Sequence, residues 1–450
     1  MAFTLFRESP ITTTPLVDTE TIDATFIRRR RFTLATVTFG YGFFYTCRLP
    51  LSVVKKPLID AGLLSASDFG TIGAAFFYAY AAGKLMNGWL ADHASLRRVM
   101  SFGLFGSALV NLAMGTTTMV WLCAALWALN GLFQGTGAPV SVVAITRWYP
   151  PRQRGTTYGL WSVAHAIGEG MTFIGTASLV AATSWHFAYI GPAITCMIVA
   201  LLIGKFLVDR PEHLGLPEVR DWRPELCFDP SAPHEDVSTK DPKVALTLLM
   251  RPSLWLLGLS SATMYVTRYA INSWGVLFLQ EAHGYTLVQA GGIIGVSTFA
   301  GIAGSAFYGW LSDNFFAARR PPPTLIFGIL EVISLIAFFS VPAGQTWPLV
   351  LAISVYGLTI GGLIAVLGGL FAVDIAPGGS AGLAVGMIGM FSYIGAGLQE
   401  TISGSLIQTG TSLVNGVAHI DFGPAITFWV GASVASMVLA ATLWRVNVAD

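Results

Sequence analysis

Gly88-Trp89-Leu90-Ala91-Asp92 with Arg97-Arg98 behind it, and Gly309-Trp310-Leu311-Ser312-Asp313 with Arg319-Arg320 behind it, are one motif written twice. Each copy closes an apolar run. A second pair, Arg48 and Arg268, is separated by the same offset to within one position, at matching depth in its own two runs. Two independent features with one spacing predict duplicated halves. Loop solvation explains one such GWL(A/S)D…RR segment but not its recurrence. An acid at a helix end, near a neighbouring helix terminus and an arginine pair, can latch one face of the molecule in one state and release it in another. Asp92, Arg97, Arg98, Asp313, Arg319 and Arg320 are therefore expected to gate, not to bind substrate.

The chain of 450 residues is 54% hydrophobic and 11% charged, with a mean hydropathy of +0.65. A soluble protein carries roughly a quarter charged residues. Here the apolar residues fall in runs of about 20, enough for a helix to cross a bilayer. Twelve spans are predicted, at 33–54, 69–91, 98–116, 119–142, 156–180, 185–208, 252–278, 287–311, 323–342, 347–372, 380–407 and 423–445. The fold class is an all-α membrane protein of two pseudo-symmetric six-helix halves. Residues 1–33 form an N-terminal segment, 34–208 the first half, 209–250 a polar linker, and 251–450 the second half.

Of the 25 Lys and Arg, three lie inside spans and away from their ends (Arg48, Lys84, Arg268), and Lys55 and Lys56 fall in the first loop on one side. All the others fall on the opposite side. Positive charge accumulates in cytoplasmic loops, so both termini and the linker are expected in the cytoplasm, with the chain multi-pass in the inner membrane. The segment before the first span is polar, so that span is its own insertion signal. Cys47, Cys123, Cys196 and Cys227 show no metal or disulfide spacing and read as small core residues. No metal cluster and no nucleotide loop is present. No cofactor, no enzyme activity and no nucleic-acid partner is expected.

A charge at a bilayer centre costs at least ~2.5 kcal/mol on insertion scales. Arg48 and Arg268 are placed well inside their spans, where snorkelling to the surface is hard. Lys84 lies nearer the basic side. A guanidinium is a planar fork that meets phosphate oxygens two at a time. One from each half, converging on an axis, would make a shared clamp, and a dianion between them would draw the halves together. Tyrosines stand at helical spacing from these cations: Tyr41 and Tyr45 precede Arg48, Tyr80 precedes Lys84, and Tyr265 precedes Arg268. His165 is mid-span and titrates near neutrality in water.

These residues carry a resemblance. The chain resembles the organophosphate:phosphate antiporter family of the major facilitator superfamily over nearly its whole length. The likeness rests on Gly40-Tyr41…Phe44-Tyr45…Arg48, Lys84, Phe133-Gln134-Gly135-Thr136-Gly137-Ala138-Pro139, Arg154-Gly155, Trp161…Ala164-His165, Tyr265…Arg268-Tyr269…Asn272…Trp274 and Phe391-Ser392-Tyr393. It implies that Arg48, Arg268, Lys84 and His165 line a phosphate site, with Tyr41, Tyr45, Tyr80, Tyr265 and Tyr393 around it. It also implies partners: a small phosphorylated anion, inorganic phosphate and the lipid bilayer. Ile22-Asp23-Ala24, Asp209-Arg210-Pro211-Glu212…Gly215-Leu216-Pro217 and Ala270-Ile271-Asn272…Trp274-Gly275 look closest to the family's hexose-phosphate receptor, which signals to a sensor histidine kinase.

The chain departs from the family at several positions. Leu49 stands where a lysine is common, Thr298 where a glutamate is common, and Val385 and Ile388 where some members hold an Asp/Lys pair. Glu169 and Glu400 are extra acids. Glu169 shares a helix face with His165 and is expected to pair with Lys84; a protonated Glu169 and a Glu169 facing a substrate amine are the alternatives. The first functional expectation is exchange of an organic phosphate for inorganic phosphate by alternating access. The second is a receptor for external hexose phosphate. The third, raised by Glu169 and Glu400, is a proton-coupled carrier of a carboxylated anion.

Overall fold

A computed structural model of the chain describes residues 6, 19–226, 250–316, 319–375, 381–414 and 417–445. Among these residues twelve long helices alternate in direction. The first half has α1 (Thr19–Thr46), α2 (Ala66–His93), α3 (Leu96–Met114), α4 (Val120–Trp148), α5 (151–182) and α6 (Phe187–Phe206). The second has α7 (252–283), α8 (Leu287–Phe315), α9 (Pro321–Ser340), α10 (346–375), α11 (Ala381–Thr409) and α12 (Gly423–Thr442). A short antiparallel hairpin, pairing Thr411 with Ile420, joins the last two helices. Each of the twelve predicted spans falls on a long helix, the first of them only in part.

The repeat is also visible in how helices start. Ser65 and Asp68 form a capping box at the head of α2, and Thr286 and Gln289 form the same box at the head of α8, at the offset of the GWL(A/S)D motif. α4, α6, α8, α9, α10 and α12 are long and apolar enough to cross a membrane by composition alone. α1, α2, α5, α7 and α11 carry the polar residues described below.

Two corrections concern the span expected at 33–54. Its helix, α1, begins at Thr19, inside the segment expected to precede the span, and ends at Thr46. At ~1.5 Å per residue its 28 residues extend ~42 Å, longer than the hydrocarbon core, so its arginine-rich first turns stand on the basic face. Its end is set by Pro50, whose ring would clash with the carbonyl of Thr46 in a continued helix. Arg48 therefore sits in a turn, not deep in a helix. Side chains of α3 and α4 cap this break: Asn111 and Asn130 donate to Cys47 O (3.0 and 2.8 Å), and Gln134 donates to Phe44 O (2.9 Å). Carbonyls left open at a helix end are thereby satisfied.

The start of the linker is not a free tether. Trp222 stacks on Phe26 with ring centroids 4.0 Å apart and donates to Asp23. Trp148, Leu216 and Val219 complete this small core. Asp209 is buried and accepts from the backbone N–H of Arg97 (2.9 Å), supplying the N-terminal cap that Ser95 does not give α3. The segments Ile22–Ala24 and Asp209–Pro217 thus meet on the basic face.

Across the halves, α2 runs along α11 and α5 along α8. Small residues permit the approach: a Cβ on Gly70 would lie 2.6 Å from Glu400 O. α8 and α10 are closer still, through Ser297, Gly301, Gly304, Gly357 and Gly361.

Candidate functional site

Arg48 is 3% exposed and rests between the rings of Tyr45 (4.4 Å) and Tyr80 (4.7 Å). Its Nε donates to Gln134 Oε1 (3.2 Å), whose own amide is fixed by Phe44 O and Ser107. The fork is thus aimed from behind, while Nη1 and Nη2 have no hydrogen-bond partner. Buried donors without partners are rare and costly. Arg48 also lines a cavity together with Ser52, Phe76, Tyr269, Ser273 and Glu400.

Lys84 lies over Tyr393 (5.3 Å), and no acid is within ion-pair distance of it among the described residues. Tyr80, expected on the face of Lys84, has its ring against Arg48 and, at 4.3 Å, against Tyr393. Tyr393 reaches Tyr265 (5.5 Å), and Arg268 lies over Tyr265 and Tyr269 (5.5 Å each). Tyr41 stacks on Trp161 (5.0 Å) and meets Tyr45 edge-on, so it supports the Arg48 wall without lying under the guanidinium. The expected cations and tyrosines converge at the interface of α1, α2, α7 and α11.

The expected partner of Glu169 is corrected. Glu169 Oε1 accepts from Arg268 Nη2 (3.0 Å) and Asn272 Nδ2 (3.2 Å), so it pairs across the halves with Arg268 and not with Lys84. His165 lines the same cavity as Glu169, Arg268, Asn272, Thr298 and Tyr356. Two widened helical turns bring this about: residues Met171–Thr176 in α5 and Ala270–Trp274 in α7 each hold a π turn beside the site. The second aims Asn272 at Glu169, Ser273 at Lys55 and Trp274 at Glu400.

Lys55, expected in an open loop, is 0% exposed. Its Nζ donates to Ser273 Oγ (2.8 Å) and lies 3.6 Å from Glu400 Oε2, so Glu400 pairs with Lys55. Hydropathy gave no hint of this, because Lys55 falls between spans. Gln134 and Asn272 are polar breaks in apolar spans, which is the signal that could have found them. Of the gating residues, the side chains of Asp92 and Asp313 lie outside the described residues. Arg320 donates to Ser312 (3.0 Å), and Arg319 lies 6.0 Å over Trp444.

A family model for the Major Facilitator Superfamily matches residues 32–399. The chain is 32% identical over 402 residues to the membrane sensor protein UhpC of Escherichia coli, covering 87% of this chain and 89% of that one. It is 30% identical over 391 residues to the glycerol-3-phosphate transporter of Bacillus subtilis, covering 84% and 86%. A solved bacterial homologue of the human lysosomal transporter Spinster superposes with a TM-score of 0.68 over 92% of this chain and 95% of that one, at 17% identity. With its two six-helix halves, its repeated loop motif and a family match over most of its length, the chain belongs to the Major Facilitator Superfamily.

Proposed function

We propose that this chain exchanges a small organic phosphate (a sugar phosphate, glycerol phosphate or similar) for inorganic phosphate in the inner membrane. Both termini face the cytoplasm in this reading, and alternating access proceeds by rocking of the halves. One observation carries it: Arg48 offers two unpartnered donors beside Lys84, and neither cation has an acid within ion-pair distance among the described residues. Arg268, by contrast, is balanced by Glu169. Two uncompensated cations match a phosphate monoester, which carries about −1.5 to −2 charge near neutrality. The relatives named as glycerol-3-phosphate and hexose phosphate transporters support the same class. Uptake of labelled phosphate into proteoliposomes, with and without internal phosphate, tests the exchange; uptake that ignores internal phosphate rejects it.

The receptor reading is favoured by one observation, the packing of Ile22 and Leu216, one from each of two receptor-like segments, in the same small core on the basic face. A chain that binds hexose phosphate without transporting it, and co-purifies with a histidine kinase, would establish that reading instead. The reading as a carrier of a carboxylated anion loses its motive, since Glu169 and Glu400 are both paired with cations of the chain.

The exchange reading sets expectations for two groups of residues. Glu169→Gln keeps an acceptor for Arg268 and Asn272 but removes the competing charge. Phosphate binding should tighten about tenfold, the scale of one charge-assisted contact. Lys84→Ala should not cancel the gain, whereas Arg268→Ala should. An unchanged phosphate isotherm in Glu169→Gln contradicts the competition. Asp92→Asn or Asp313→Asn should slow exchange while equilibrium phosphate affinity stays within a few-fold. A large loss of affinity at normal rate would remove these loops from gating.

A further inference from the structure

We propose that Lys55 is a second anion site, on the outer side of Arg48, and that Glu400 occupies it in the conformation described here. The proposal rests on the reading of Arg48 as a phosphate ligand. Lys55 belongs to the short helix Lys55–Asp60 of the first half, beyond the end of α1. Its polar partners belong to the second half: Ser273, Glu400 and the face of Trp274, whose ring centroid is 3.2 Å from Nζ. The Trp274 indole donates to the same Glu400 oxygen (3.0 Å). Next to it Lys56 pairs with Glu281, again across the halves. Phe69, 6.0 Å away, is the first-half ring beside the ammonium.

The consequence is electrostatic. If the halves part on this face, Lys55 leaves its acid behind. A buried ammonium without a counter-charge is strongly unfavourable, so it must take up water or an anion. Arg48, Ser273 and Glu400 line one cavity, and Ser273 and Glu400 are the partners of Lys55, so the two cations flank that cavity from its two sides. A phosphate dianion arriving from the outer face would displace Glu400 from Lys55, then pass to Arg48. Glu400 would return to Lys55 behind it. The carboxylate thus substitutes for the ligand and the seal closes once the anion has moved inward.

The test uses the full chain in nanodiscs, with Cys227→Ser and a reporter thiol at Ser52→Cys, a residue lining the cavity beneath the seal. Labelling by a membrane-impermeant maleimide reads opening, and protection by inorganic phosphate reads binding. Glu400→Gln should raise labelling several-fold, and phosphate should suppress it. Lys55→Gln should also raise labelling, but protection should need about tenfold more phosphate. Lys55→Arg should keep both the seal and the protection, and with the thermal midpoint it identifies a variant that is merely misfolded. Unchanged labelling in both folded variants overturns the seal. Equal phosphate requirement in Glu400→Gln and Lys55→Gln overturns the anion site. Failure of the Arg48 reading shows separately, as wild-type phosphate binding in Arg48→Lys.

Discussion

Arg48→Lys should weaken inorganic-phosphate binding by ~1–3 kcal/mol or more, roughly 5- to 150-fold, and slow exchange accordingly. The substitution keeps the charge and removes the fork. Lysine has no Nε to donate to Gln134 (3.2 Å in the native chain), so nothing behind it fixes the direction of the ammonium. Gln134 Oε1 also loses its donor. Two parallel contacts become one, made by a flexible stem. Titration calorimetry with inorganic phosphate measures the change, and an unaltered thermal midpoint shows that the fold survives. Arg268→Lys should be milder, because Glu169 and Asn272 already hold part of that side of the site. Wild-type binding in both lysine variants would dissolve the clamp.

Gly361→Val should leave no monodisperse folded protein. A Cβ at Gly361 would lie 2.2 Å from Gly301 O, one at Gly357 2.1 Å from Ser297 O, and one at Gly304 1.8 Å from Leu358 O. In each case the obstacle is backbone, which cannot swing aside as a side chain can. Ordinary overpacking costs about 1–3 kcal/mol; here two whole helices must separate, so the loss should exceed that range. In a membrane little else would restore the contact, since close packing of small residues is what holds such helices together. Gly309→Ala is the control, because a Cβ there meets nothing within 4 Å. Size-exclusion profiles and thermal midpoints compare the two. A Gly361→Val protein as stable as Gly309→Ala would show that α8 and α10 can repack.

The helices were legible because membrane spans announce themselves by length and apolarity, and the repeat because polar loops between such spans are conspicuous. The convergence of Arg48, Lys84, Arg268 and the tyrosines was legible for the same reason: charge is costly in hydrocarbon, so each residue that carries it stands out. Pairing was not legible. Glu169 is one helical turn from His165 in sequence, yet its partner is Arg268 on another helix of the other half, and α5 packs there on α8. The end of α1 was readable from Pro50 but was missed by counting apolar residues through it. Lys55 carried no warning, because a lysine between spans ordinarily meets water.

The widened turn at Ala270–Trp274 has a bearing on how this chain could change. A π turn of this kind holds one residue more than a regular helix needs. Deleting one residue, such as Ile271, can restore an ordinary helix without breaking it, with the flanking segments still helical. What such a deletion changes is the turn itself: Asn272, Ser273 and Trp274 would be re-aimed relative to Arg268, while the segment after them keeps its register. The acid on α5, the lysine of the first loop and the acid on α11 would lose their contacts together. A single codon lost or gained is therefore a step by which relatives of this chain can exchange one set of cross-half contacts for another while the membrane-spanning frame stays intact.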